Sequence, residues 1–120
     1  MKTFSQFLTE MAQNSIKQGV RNKMGEEIGK ITRGYHDSIP FQQIQKVIEK
    51  YGYQLVQEDG TPWSGFLLGG KECGSMEANN QRASIDIVRK EDKMPMNNNL
   101  ILMWCRMPES GRYEITAYIS

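Results

Sequence analysis

The stretch Gly65 to Glu72, GFLLGGKE, sets two glycines and a lysine at the spacing of a phosphate-binding loop. Such a loop wraps backbone N–H groups around phosphate between a strand and a helix N-terminus, and needs a hydroxyl after the lysine to hold magnesium. Glu72 stands where that hydroxyl belongs, and Phe66, Leu67 and Leu68 form an apolar run suited to burial, so the match is a coincidence of spacing. A metal centre needs several converging ligands, yet the one histidine is His36, and neither Cys73 nor Cys105 has a CxxC partner. Cys105 as a nucleophile would need a neighbouring base, and a thiol within an apolar strand pattern reads as inert core. Glu26 with Glu27, and Glu58 with Asp59, lie in hydrophilic surroundings that would not lift a carboxyl into the range of acid–base catalysis. No catalytic residue, metal site or cofactor is expected.

Length and composition fit one soluble domain: 120 residues, 38% hydrophobic, 24% charged, net charge +1. Residues 1 to 36 carry six basic and three acidic side chains, while residues 37 to 120 carry nine basic and eleven acidic, so basic character sits at the front. No charged segment leads into an apolar one, so secretion is not expected and both cysteines are expected to be reduced. The longest apolar run, LILMWC at 100 to 105, is far short of the roughly 18 residues that cross a bilayer.

The elements follow from periodicity. Phe4, Phe7, Leu8 and Met11 recur at helical spacing and Ile16 extends the stripe, with Thr3 and Gln6 as a capping box, so residues 1–18 read as an amphipathic N-terminal helix. Gly19, Gly25, Gly29 and Gly34 punctuate the next segment, each costing about 1 kcal/mol in a helix interior, so 19–37 reads as a glycine-rich basic linker. The body, 38–120, opens with a helix capped by Asp37 or Ser38, striped by Phe41, Ile44, Val47, Ile48 and Tyr51, and stopped by Gly52. Strands then read at 53–57, 64–70, 82–90, 100–107 and 112–120, with EDKMPMNNN as a turn before the fourth. A helix followed by hairpin-linked strands predicts an α+β domain: an antiparallel sheet of about five strands with the main helix across one face. Strand 100–107 is apolar on both faces, so it should be central and its second face should be covered.

Two binding surfaces are legible. Lys17, Arg21, Lys23, Lys30 and Arg33 could follow phosphates, and Trp63, Trp104, Arg106, Arg112 and Tyr118 could form a sheet face for stacking single-stranded nucleic acid or for docking a protein. The acidic body weakens the nucleic-acid alternative. A protein partner is the stronger expectation, and no membrane partner is expected.

The opening MKTFSQFLTE resembles the capsid-targeting leader of internal head proteins in large contractile-tailed bacteriophages. In that family a short leader docks the protein into the prohead core, and a phage protease cuts after a glutamate preceded two positions earlier by leucine or isoleucine. The resemblance implies that Phe4, Phe7 and Leu8 dock on the prohead scaffold and that Leu8, Thr9 and Glu10 form the cleavage motif. Gln6 stands where the family often has an acidic residue. The chain would then lie in the virion interior and act by binding, delivered with the DNA to block a host protein; the alternative is a binding module of the bacterial cytoplasm.

Overall fold

The computed structural model describes residues 14–65, 71–75 and 82–120. In chain order the elements are α1 (Gln18–Thr32), β1 (Tyr35–His36), α2 (Phe41–Lys50), β2 (Tyr53–Val56), β3 (Arg82–Arg89), β4 (Pro95–Arg106) and β5 (Tyr113–Ile119). The strands form one antiparallel sheet in the order β1-β5-β4-β3-β2, so the doubly apolar strand is central. This is the expected α+β class. Its five strands are not the expected five, however: the two-residue β1 was not foreseen, and the strand expected at 64–70 lies largely outside the described residues.

Alternation along β3, β4 and β5 decides what faces the helices. Ile85 and Ile87, Leu100, Leu102 and Trp104, and Ile115 form one cluster with Met24 and Ile28 of α1 and Ile44, Val47 and Ile48 of α2. On the opposite face Ile101 sits between Ser84 and Tyr118 and is also buried. The α2 stripe packs as its spacing predicts, and Gly52 takes the left-handed conformation (φ 89°) that ends it. Neither Asp37 nor Ser38 caps it; Pro40 is the N-cap, and its carbonyl accepts the N–H of Ile44.

The predicted linker is a helix. Three interior glycines together cost about 3 kcal/mol, but fully burying Met24 and Ile28 contributes about 1.5–3 kcal/mol each, and Val20 and Ile31 add partial burial. Spacing by four, from Val20 through Met24 and Ile28 to Thr32, was the signal that outweighed propensity. Glu27 fastens α1 to α2 by accepting from Lys50 Nζ at 2.7 Å and from the Tyr51 hydroxyl. Those two donors hold the Glu27 carboxyl below the usual carboxylate range, and Glu27 in turn raises Lys50 and Tyr51.

The expected turn at 91–99 is half strand. Hydrogen bonds between Arg89 and residues 93 and 94 close the hairpin, and β4 runs from Pro95 through three consecutive asparagines. Each of these has a bonded amide. Asn97 Nδ2 donates to Ser15, Asn99 Nδ2 to Ser84, and Asn98, 6% exposed, uses both ends of its amide. Asn98 Oδ1 accepts the Ile16 N–H at 2.8 Å and Nδ2 donates to the Ser120 carbonyl at 2.7 Å. The approach to α1 and the end of β5 are thus tied to the same residue of the central strand.

Asn98→Ala leaves the Ile16 N–H and Ser120 carbonyl without that partner, so it should lower unfolding free energy by about 2–3 kcal/mol. Asn99→Ala, with exposed bonds, should cost less than about 1 kcal/mol; urea denaturation of the two variants checks the contrast.

Candidate functional site

The expected sheet-face patch divides. Trp63 and Trp104 are only 7% and 6% exposed: Trp63 packs edge-on against Phe41 at 6.1 Å, and Trp104 faces the helices opposite Ile115. Tyr118 pairs with Ile101 on the other face and is 41% exposed, so Trp104 and Tyr118 share no surface. Arg112 pairs with Asp37 at 3.2 Å and Arg106 with Glu72 at 3.7 Å, both near one end of the sheet. Phe4, Phe7, Leu8, Thr9 and Glu10 lie outside the described residues. The basic residues of the front segment do not gather: at 100° per residue Lys23 and Lys30 share one side of α1, whereas Arg21 lies on another, and Glu26 and Glu27 interrupt them.

The notable surface lies along β5. Antiparallel pairing alternates the direction in which successive backbone groups point. Met107 N–H donates to Arg112 O at one end and Ser120 N–H to Asn99 O at the other, which assigns Arg112, Glu114, Thr116, Tyr118 and Ser120 to bonds with β4. The backbone of Tyr113, Ile115, Ala117 and Ile119 therefore points outward. β1 pairs only with Tyr113 and Glu114 and begins after Gly34, whose φ of 86° turns the chain out of α1. Beyond β1, Ala117 and Ile119 have no strand partner among the described residues.

α1 runs beside this edge without filling it. One cleft of about 480 Å³ opens between Gly29, Arg33 and Tyr35 and residues 114–117 of β5. A second of about 460 Å³ opens between Arg21, Gly25 and Glu26 and Tyr118 and Ile119. A methyl group added at Gly25 or Gly29 would meet nothing within 4 Å. Those glycines leave room where other residues would project into the cleft. Tyr35, 57% exposed, and Tyr118 stand near the two ends of the edge. A further cleft beside Val56, Asp59 and Trp63 has a structural carboxylate, since Asp59 accepts the Thr61 N–H and hydroxyl and is held below its usual range by them.

The cysteines correct a second expectation. Cys73 and Cys105, 32 residues apart, form a disulfide, not two reduced thiols. Residues 71–73 lie beside the end of β4, where Arg106 N–H donates to Lys71 O and Cys73 N–H to Arg106 O, both at 2.8 Å, bringing the two Cα atoms to 5.0 Å. Nothing in the linear spacing signals this, because the approach depends on residues 71–73 lying beside the end of β4, beyond the Arg82–Met103 pair. Glu114, directly opposite Cys105 on β5, places Oε2 3.9 Å from Cys105 Sγ.

No family model, curated protein or solved structure matches this chain. No described helix is long and apolar enough to cross a membrane.

Proposed function

We propose that this chain acts by binding and that its body takes up an extended segment of a protein partner along the outer edge of β5. The observation that carries the reading is the outward backbone of Ala117 and Ile119, which has no strand partner among the described residues and lies beside an open cleft. Alternating N–H and C=O groups are complemented by another extended backbone, the basis of strand addition at exposed sheet edges. A docked strand continues the line of β1, turning alternate side chains toward α1 at Gly25 and Gly29 and the others toward Tyr35 and Tyr118. Arg21 and Arg33 with Glu26 and Glu114 give the rim both signs of charge, which suits a peptide better than a nucleic-acid backbone.

The leader resemblance adds the setting: an internal head protein of a contractile-tailed phage, packaged through residues 1–10 and acting on a host protein after delivery. This part rests on MKTFSQFLTE alone. It is compatible with the tethering of the body, since Asn14 O accepts from Asn97 N–H and Ile16 is held by Asn98, so a cut after Glu10 falls ahead of those ties.

Selection of a random displayed peptide library on the full chain should enrich binders, and Ala117→Pro should weaken them at least about tenfold. The Ala117 N–H points away from β4, so proline there removes an edge donor without breaking a bond of the sheet. Failure to enrich, or binders indifferent to Ala117→Pro in a folded variant, contradicts the edge as the site. For the leader, mass spectrometry of purified phage heads should find the chain beginning at Met11; an intact Met1 in the particle rejects the cleavage motif.

A further inference from the structure

Cys73 Sγ, Cys105 Sγ and a carboxylate oxygen of Glu114 all lie within 4.8 Å of one another. We propose that, once the disulfide is reduced, these three groups form a binding site for a zinc-class divalent cation, with the fourth coordination position open to water. The ligand types suit that cation, since zinc takes thiolate at about 2.3 Å and carboxylate oxygen at about 2.0–2.2 Å.

The site does not depend on the disulfide to assemble it. The two hydrogen bonds between residues 71–73 and Arg106 hold Cys73 beside Cys105, and the β4–β5 ladder holds Glu114 opposite Cys105. All three ligands are therefore placed by backbone pairing as well as by the S–S bond. Given those bond lengths, two thiolates of a tetrahedral zinc stand about 3.8 Å apart and a thiolate and a carboxylate oxygen about 3.6 Å apart, so the two sulfurs must move apart after reduction to admit the cation. Glu72, the other nearby carboxylate, is paired with Arg106 at 3.7 Å. Glu114 is exposed and has no ion pair among the described residues, so its carboxylate is available.

The two states exclude each other. A thiol or phosphine reductant supplies two electrons, and two protons from water complete the conversion of the S–S bond to two thiols. Cation binding then releases both thiol protons to solvent as the thiolates coordinate, so affinity should rise with pH as proton competition falls. In the oxidised protein the sulfur lone pairs belong to a disulfide, a poor ligand, leaving Glu114 alone. The same corner thus carries either a covalent tie or a cation, according to the redox state of its surroundings.

Cobalt(II) is the probe, because thiolate coordination produces a charge-transfer absorption that carboxylate coordination does not. The full chain, reduced with a phosphine under inert gas, should bind one equivalent with that absorption, and zinc should displace it. The disulfide form should show none. Glu114→Gln, a substitution at an exposed position, should retain the absorption but weaken binding at least about tenfold, whereas Cys105→Ser should abolish it. Absence of the absorption in the reduced protein, or a Glu114→Gln variant that binds as tightly as the parent, overturns the proposal.

Discussion

The fold depends on the amide of Asn98. A buried amide with a satisfied donor and acceptor is well specified, because any rearrangement leaves a polar group unpaired in a dry environment. Here the acceptor holds Ile16 just before α1 and the donor holds Ser120 just after β5. Both α1 and β5 are thereby started or ended at the same place on the central strand. From there α1 and β5 run side by side, and the cleft between them is a consequence of that common anchor together with two glycines that project nothing into it.

Elements whose burial is encoded by local period were legible in the sequence. The α2 stripe, the alternation of Tyr113, Ile115, Ala117 and Ile119, and the central position of the strand through Leu100 to Arg106 all follow from spacing, because side-chain direction is fixed by the backbone period. α1 is not legible in the same way, because its glycines argue against a helix while the four-residue recurrence of Val20, Met24 and Ile28 argues for one, and only the packed sheet discloses how much that recurrence buries. The asparagine run is obscure for a related reason. Three polar residues suggest a turn in isolation, whereas their amides are used by Ser15, Ile16, Ser84 and Ser120, which are distant in sequence.

The candidate sites were the least legible part. A sheet edge left without a strand partner among the described residues is a property of topology: β1 has two residues and β5 has seven, which no motif records. The aromatic patch failed as a group because Trp104 and Tyr118 differ by parity across the β4–β5 register, although Tyr118 remains on the surface. The Cys73, Cys105 and Glu114 corner likewise joins residues from a loop and two strands, and it lies at the opposite end of the β4–β5 ladder from Asn98. The outer edge at Ala117 and Ile119 and this corner therefore occupy different stretches of one ladder, with Glu114 common to the corner and to the cleft beside residues 114–117.

The central claim is that the outer edge of β5 is open in the free protein. Residue-resolved amide hydrogen exchange reads this directly, since the N–H groups of Thr116 and Tyr118 bond to β4 while those of Ala117 and Ile119 point outward. The account predicts alternation, with slow exchange at Thr116 and Tyr118 and fast exchange at Ala117 and Ile119. Uniform protection across Thr116 to Ile119 would mean that the edge is already paired, and would contradict it.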